Sequence, residues 1–148
     1  MFELHPQLAQ DTMVVGDFPL CRLLLMNDVN YPWFILVPKR TGIREVFELD
    51  EKDQRQLLRE SSQLSRVLHH AFQADKMNVA ALGNMVPQLH IHHIVRYQSD
   101  PAWPKPVWGL LPAQPYTERA MQETCANIID LLDDFVPDAN CATAPRVC

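Results

Sequence analysis

Residues 88–96 read QLHIHHIVR and place three of the six histidines of the chain within four positions. Because side chains alternate between the two faces of a β-strand, a strand here would direct Gln88, His90 and His92 to the same face. His93 would lie on the opposite face, among apolar residues. Two imidazoles at alternate positions of a strand are about 6 to 7 Å apart at the backbone, close enough to act on one small group.

The HxH pattern of His90 and His92 fits two kinds of chemistry. As metal ligands, the two histidines would need a third ligand, which is usually His, Asp, Glu or Cys, from elsewhere in the chain. As catalytic residues on phosphorus, one neutral imidazole would attack while neighbouring polar groups hold the phosphate oxygens. A solvated sheet face without any chemistry is a third interpretation, because a single short motif is weak evidence. The spacing alone leaves all three open.

The residues that flank this stretch predict further strands of a sheet. Residues 11–28 are rich in Val and Leu on both sides of a turn at 16–19, which predicts a hairpin. Residues 33–37 are almost wholly apolar, as expected for a strand that is covered on both faces near the middle of a sheet. Residues 77–83 and 86–97 predict two more strands, which a tight connection makes antiparallel neighbours.

Two helices are also predicted. Between Asp50 and Phe72 the apolar residues recur with the period of a helix, which indicates a long amphipathic helix on the sheet. Its apolar face carries Leu57, Leu64, Leu68 and Phe72, and Arg55, Arg59, Glu60 and Arg66 lie largely off that face. Thr117 can cap a C-terminal helix whose apolar stripe packs on the sheet or on a second subunit. That stripe consists of Met121, Cys125, Ile128, Leu132 and Phe135.

Length and hydropathy indicate a single soluble domain. The 148 residues can bury a sizeable core, so we expect residues 1–136 to form one domain. Residues 137–148 show no periodicity and are expected to be an irregular C-terminal tail. No apolar run reaches the roughly 18 residues that would span a bilayer, and no signal-like segment is present. We therefore expect a cytoplasmic protein.

Charge and cysteine content argue against three further classes of protein. A net charge of −5 disfavours a broad nucleic-acid-binding face, which would normally show a basic excess. The four cysteines lie far apart and form no CxxC pair, which disfavours a zinc knuckle and a disulfide-rich secreted scaffold. We therefore expect reduced thiols at Cys21, Cys125, Cys141 and Cys148.

The segment GNMVPQLHIHHIVR at residues 83–96 resembles the signature of the histidine triad (HIT) superfamily. In that signature, a Gly and a Gln or Asn precede three histidines that alternate with apolar residues. LLLMND at 23–28 and PWFILVPKR at 32–40 are similar to two further strands of the family. The resemblance implies an α+β, HIT-like fold: a five-stranded antiparallel sheet with a long helix and a C-terminal helix, commonly forming a homodimer. It also implies hydrolase or transferase activity at the α-phosphate of nucleotides.

The resemblance assigns roles to three residues of the motif. When the motif is aligned on Arg96, Gln88 replaces the first histidine of the triad, His90 is the middle one and His92 is the last. The family's middle histidine attacks phosphorus and is transiently nucleotidylated, which implies this role for His90. His92 would bind a non-bridging phosphate oxygen. Gln88 keeps hydrogen-bonding capacity but cannot carry a proton, so protonation of the leaving group is the step most affected.

Nucleotide-binding residues follow from the same resemblance. Asn84, just after Gly83, matches an amide on the phosphate side of the site, and Asn27 matches the residue that contacts ribose. We therefore predict a nucleotide phosphohydrolase that works through a nucleotidyl-histidine intermediate and needs neither a cofactor nor a metal. Its expected substrates are dinucleoside polyphosphates, such as diadenosine tetraphosphate, or nucleoside phosphoramidates.

Two alternatives to this hydrolase remain. The first is a nucleotide-binding dimer with little turnover, with Gln88 as the mark of the lost activity. The second is a metal-dependent hydrolase that uses the HxH strand as ligands. The expected partners are a nucleotide or dinucleotide and a second copy of the chain, but neither a nucleic acid nor a membrane.

Overall fold

The structure is a computed structural model, and it describes residues 1–142. The strands are β1 (Thr12–Asp17), β2 (Cys21–Met26), β3 (Trp33–Pro38), β4 (Lys76–Ala80), β5 (Ile91–Arg96) and β6 (Val136–Pro137). The helices are α1 (Pro6–Asp11), α2 (Glu51–Ala71), α3 (Glu118–Ile129) and α4 (Ala139–Ala142), with a 3₁₀-helix at Val46–Glu48. The strands form one antiparallel sheet in the order β4-β5-β3-β2-β1-β6. The expected α+β architecture is thus confirmed.

The hairpin and the central strand occur where the sequence predicts them. β1 and β2 are antiparallel, with Thr12 opposite Met26 at one end and Asp17 opposite Arg22 at the other. β3 lies between β2 and β5 and is buried along its whole length. An unbroken apolar strand is stable in that position because it meets core residues on both faces.

Core residues do cover both faces of the sheet. On the first face, the residues that pack against α2 include Leu23, Leu25, Phe34 and Leu36. On the second face, Leu24, Ile35 and Val37 pack together with Leu8 of α1 and with Val107 from the loop that follows β5. Alternate residues of β2 and β3 therefore belong to different clusters, as the two-residue period of a strand requires.

The sheet has six strands where the sequence predicted five. The additional strand, β6, is a two-residue segment that pairs with β1 at Gly16 and Asp17. Gly16 permits this approach, because a Cβ there would lie 2.4 Å from the carbonyl oxygen of Val136. So short a segment has no period of its own that a sequence pattern could reveal. In the region predicted to be an irregular tail, residues 137–148, Pro137 belongs to β6 and Ala139–Ala142 form α4. Residues 143–148 lie outside the described part of the chain.

The long helix α2 matches its prediction except at one residue. Asp50 caps it, and its carboxylate accepts the backbone N–H of Asp53 at 2.7 Å. Glu60, expected off the apolar face, is only 2% exposed. Its carboxylate accepts the backbone N–H groups of Leu20 at 3.0 Å and of Cys21 at 2.8 Å. Glu60 therefore ties the middle of α2 to the start of β2.

β5 begins later than the sequence predicts. Its ladder starts at Ile91, whereas the predicted strand extended back to residue 86. Pro87 has no N–H to contribute to a ladder, and the N–H of Leu89 donates to the carbonyl of Ile43 at 3.0 Å, outside the sheet. His90 therefore precedes the hydrogen-bonded strand. β4 and β5 are antiparallel neighbours, as predicted.

The C-terminal helix is capped as predicted but is shorter than its apolar stripe. The hydroxyl of Thr117 accepts the N–H of Ala120 at 3.1 Å. The helix ends at Ile129, so Leu132 and Phe135 lie beyond it. Leu132 and Phe135 nevertheless pack in the core on the face of the sheet that α2 covers. The apolar stripe therefore packs on the sheet, the first of the two partners that the sequence predicts for it.

Three of the four cysteines lie in the part of the chain that the structure describes. Cys21, Cys125 and Cys141 are buried free thiols, and Cys148 lies outside the described residues. Burial raises the pKa of the Cys21 thiol above its ordinary value, which disfavours the reactive thiolate form. Within residues 1–142, no helix combines the length and the apolar character needed to cross a membrane.

Candidate functional site

A cavity of about 610 Å³ lies beside the start of β5. Its walls come from the N-terminal segment with α1, the end of β2, the start of β3, and the loops before and after β5. The lining residues that matter most for the chemistry are His5, Gly83, Asn84, His90, His92 and Trp108. The rings of His90 and His92 lie edge to face, with their centroids 4.9 Å apart. Both histidines of the HxH pattern therefore lie in one cavity.

One hydrogen bond determines the tautomer of His90. Its Nδ1 lies 2.7 Å from the carbonyl oxygen of Gln88. A carbonyl oxygen can only accept, so Nδ1 carries the hydrogen and Nε2 of the neutral ring carries the lone pair. Because the ring lines the cavity and its Nδ1 is occupied, Nε2 is the nitrogen available to a ligand.

His92 has the opposite tautomer. The indole Nε1–H of Trp33 donates to Nδ1 of His92 at 3.0 Å, so the hydrogen of the neutral ring is on Nε2. Burial, with smaller contributions from His90 and His93, lowers the pKa of His92 to about 3. His92 is therefore a neutral hydrogen-bond donor at physiological pH.

The two rings together have the properties needed for attack on phosphorus. His90 presents a lone pair, and the adjacent His92 presents an N–H that can bind a phosphate oxygen. The metal interpretation of the same HxH pattern requires a third ligand. In residues 1–142, no group of three or more His, Cys, Asp or Glu side chains is placed to hold a metal ion.

His93 lies on the other face of β5 and is fully buried there. Its Nδ1–H donates to the carbonyl of Ile91 at 3.0 Å, so its Nε2 accepts from the hydroxyl of Ser61 on α2 at 2.7 Å. Burial lowers the pKa of His93 to about 4, although the bond to Ile91 acts in the opposite direction. His93 thus joins the sheet to the helix and has no access to the cavity.

Gln88 is placed differently from the expectation that it shares an open face with the two histidines. Its Oε1 accepts the backbone N–H of His5 at 2.9 Å, and its Nε2 donates to the carbonyl of Glu3 at 2.8 Å. Both ends of the amide are therefore bound to the N-terminal segment. The segment approaches here because residues before β5 have left the sheet ladder.

The predicted nucleotide-binding residues lie in two adjoining cavities. Gly83 and Asn84 line the cavity, and Gly83 has a φ of 76°, a conformation that glycine adopts at little cost. Asn27 lines an adjoining cavity of about 400 Å³ that shares Trp33 and Trp108 with the first. The Oδ1 of Asn27 accepts the N–H of Tyr116 at 2.8 Å, so Asn27 also anchors the chain just before α3.

Two residues of the site, Trp33 and His5, have roles that the sequence pattern did not assign, whereas Trp108 could be predicted either as a wall of the pocket or as an anchor of its Pro-rich loop. Trp33 was predicted only as part of an apolar strand, yet it sets the tautomer of His92. Trp108 packs edge-on against His92 with a centroid distance of 5.2 Å, so it is a wall of the cavity as well as an anchor of its loop. His5 reaches the cavity through contacts with Gln88, 83 positions away, and no local pattern signals such a contact.

Known proteins resemble this chain in sequence and in fold. The model of the HIT domain family matches residues 7–99. A histidine triad protein from Marinobacter aquaeolei VT8 has 58% identity and a TM-score of 0.87, with 89% of this chain and 96% of that chain covered. A histidine triad protein from Bradyrhizobium japonicum has 44% identity and a TM-score of 0.84, with 86% and 95% covered.

A histidine triad (HIT) protein from Sinorhizobium meliloti 1021 is similar to the same degree. It has 44% identity and a TM-score of 0.87, with 89% of this chain and 98% of that chain covered. None of the curated proteins matches the chain. The similarity to the three solved structures extends over nearly their whole length. The match to the HIT domain model, residues 7–99, includes β1 to β5 and therefore the strand that carries His92.

Proposed function

The chain belongs to the HIT domain family, a family of nucleotide hydrolases and transferases, and we propose that it is a nucleotide phosphohydrolase acting at the α-phosphate. One observation carries the proposal: His90 and His92 are adjacent in one cavity and have opposite tautomers. A solvated sheet face would not require either tautomer. Attack on phosphorus requires both, because one nitrogen must bring an electron pair and the other a hydrogen.

The reaction that fits these residues has two steps. In the first, the lone pair on Nε2 of His90 forms a bond to phosphorus, and the bond from phosphorus to the leaving group breaks. The leaving group takes that electron pair, and the ring becomes a nucleotidyl-imidazolium whose Nδ1–H still donates to the carbonyl of Gln88. In the second step, water attacks phosphorus, the P–N bond breaks, and the pair returns to Nε2. The proton that the water loses passes to solvent.

Binding of the nucleotide is proposed to involve residues on both sides of His90. His92 would donate its Nε2–H to a non-bridging oxygen. The amide of Asn84, after the turn at Gly83, would bind the phosphate from the opposite wall. Asn27, in the adjoining cavity, would contact the ribose through its amide nitrogen.

The two adjoining cavities favour a substrate with two parts. Their volumes are about 610 and 400 Å³, and Trp108 lies between them. A nucleoside in one cavity and a leaving group in the other would put the phosphate near Trp33 and Trp108, whose rings lie against His92. His90 is the immediate neighbour of His92. Dinucleoside polyphosphates and nucleoside phosphoramidates both have this two-part form.

The protein is also proposed to act as a homodimer. β4 is an edge strand, and an uncovered edge offers unpaired backbone groups to another chain. Val79 on this strand is 49% exposed, and Leu82 and Met85 just after it are 48% and 94% exposed. A second copy could cover these apolar side chains. Light scattering on the purified protein tests this, since a mass of 17.0 kDa at micromolar concentration would exclude a stable dimer.

The hydrolase proposal is tested by removing and by labelling the nucleophile. His90→Ala should abolish turnover of diadenosine tetraphosphate and of adenosine phosphoramidates while leaving nucleotide affinity within about tenfold, because only a transition-state interaction is lost. A reaction of the wild-type protein with α-labelled nucleotide, quenched in alkali, should leave the label on His90. His70→Ala, on the exposed end of α2, is the matched control and should be fully active.

Three results would contradict the proposal in different ways. Turnover that persists in His90→Ala would exclude covalent catalysis at this residue. Label on His92 would mean that the roles of the two rings are reversed. Nucleotide binding by the wild-type protein without release of any product would favour the alternative of a binding dimer with little turnover.

A further inference from the structure

The N-terminal segment brings a third imidazole to the cavity that holds His90 and His92. His5 lines this cavity, although it is far from the other two in sequence. The segment is held from two sides. Leu8 is 4% exposed and packs in the core on that face of the sheet, and Gln88 binds the backbone at Glu3 and His5.

The tautomer of His5 is set by its own helix. Nδ1 of His5 accepts the backbone N–H of Gln7 at 3.1 Å and thereby caps α1. In the neutral ring the hydrogen is therefore on Nε2. No residue within 1–142 forms a hydrogen bond with this Nε2, so its N–H remains available to a ligand in the cavity. Asp11 of α1 also lines the cavity, and its Oδ2 accepts the amide N–H of Gln7 at 2.8 Å.

The three rings are arranged for a substrate rather than for an ion. They line one cavity of about 610 Å³, but they do not form a group that could hold a metal. A ligand that touches all three must therefore be larger than an ion, as a phosphate with its leaving group is. If His90 attacks phosphorus, the leaving atom departs on the side away from His90, and His5, on the wall that the N-terminal segment contributes, is the third imidazole that lines this cavity.

We propose that His5 replaces the missing first histidine of the triad by donating its Nε2–H to the leaving atom, and that Gln88 is a positioning residue that holds His5 in place. This inference rests on the proposed function. As the bond from phosphorus to the leaving group breaks, the leaving atom takes the electron pair, and the hydrogen bond from His5 stabilises that negative charge. His5 keeps its hydrogen, and the departing anion takes its proton from water. Gln88 itself need not touch the substrate.

The test compares leaving groups of graded acidity. The substrates are adenosine 5′-monophosphate esters of a series of phenols, from 4-nitrophenol to unsubstituted phenol. His5→Asn removes the Nε2–H but keeps an oxygen that can cap α1, and His5→Ser is a second variant with the same property. For the phenol ester we expect kcat/KM to fall about 100-fold, the usual effect of losing one donor to a developing charge. For the 4-nitrophenol ester, whose leaving anion is already stable without a hydrogen-bond donor, the loss of kcat/KM should be less than about threefold.

A double-mutant cycle tests the role of Gln88. Gln88→Leu should produce the same dependence on the leaving group as His5→Asn. In the His5→Asn background, Gln88→Leu should not change the dependence of kcat/KM on the leaving group any further, because Gln88 acts only through His5. Additive effects would mean that Gln88 contacts the substrate itself and would overturn its role as a positioning residue.

The results distinguish this inference from the proposed function. An equal loss for all esters, or no loss, in both His5→Asn and His5→Ser would show that His5 only shapes the cavity. The proposed function would still stand if His90→Ala were inactive. If His90→Ala hydrolysed the 4-nitrophenol ester at the wild-type rate, the function itself would fail. Thermal unfolding of each variant identifies any loss that comes from misfolding.

Discussion

His90 and His92 differ in the partner that holds Nδ1, and this difference determines what each ring can do. A carbonyl holds Nδ1 of His90 and leaves a lone pair on Nε2, whereas an indole N–H holds Nδ1 of His92 and leaves a hydrogen there. Alternation along the strand could be read from the sequence, and it correctly placed these two rings together. The tautomers of the two rings could not be predicted from the sequence, because Trp33, which donates to His92, is 59 positions away.

The role of Trp33 can be tested by a substitution that removes its indole N–H. Trp33→Phe keeps an aromatic ring on the strand but removes the donor to Nδ1 of His92. We expect His92 to populate both tautomers and kcat/KM to fall about tenfold or more, since a lost buried hydrogen bond costs about 1 to 3 kcal/mol. The ¹⁵N chemical shifts of His92 report the tautomer directly.

Trp108→Phe is the matched control for this substitution. Trp108 packs on the same ring of His92, with a centroid distance of 5.2 Å, but the donor to that ring is Trp33. Trp108→Phe should therefore leave the ¹⁵N shifts of His92 unchanged. Unchanged shifts in Trp33→Phe as well would mean that the indole does not determine the tautomer.

At the scale of elements, periodicity predicted what each segment is but not where its exceptional residues lie. The period of α2 identified the helix and its apolar face correctly. It also assigned Glu60 to the polar side, because a carboxylate has no apolar signal. Glu60 is buried because its carboxylate accepts two backbone N–H groups at the start of β2 that would otherwise lack an acceptor. The late start of β5 and the pairing of β6 likewise depend on contacts between distant segments.

Glu60 should therefore contribute more to stability than its position in the sequence suggests. Glu60→Gln places a donor opposite one of two backbone donors, and we expect the free energy of unfolding to fall by about 2 kcal/mol. Urea unfolding followed by circular dichroism measures this. Glu51→Gln in the same helix is the control: its exposed ion pair with Arg55 should be worth about 0.5 kcal/mol or less. Similar losses for both variants would mean that the Glu60 bonds contribute little.

At the scale of the whole molecule, a sheet covered on both faces explains why histidines on one strand serve different purposes. β5 directs His92 to the cavity side and His93 to α2, and both rings are buried. Burial disfavours the charged form of each, so the pKa of His92 is lowered to about 3 and that of His93 to about 4. The fold thus keeps both rings neutral, which the chemistry requires for His92 and the core requires for His93.

This arrangement predicts that acid destabilises the protein in a definite range of pH. The pKa of His93 is lower in the folded state than its ordinary value of 6.5, so the unfolded chain takes up the proton first as the pH falls. Its contribution to stability is complete above about pH 6.5. Between pH 6.5 and pH 4 that contribution is lost, and the loss at pH 4 is about 3 kcal/mol. Urea unfolding between pH 7 and pH 4 measures the loss. His93→Gln should be less stable at pH 7 but should lose less on acidification, whereas His70→Gln, at an exposed site, should parallel the wild type. If the His93→Gln and wild-type curves ran parallel, burial of His93 would not be a source of the acid sensitivity.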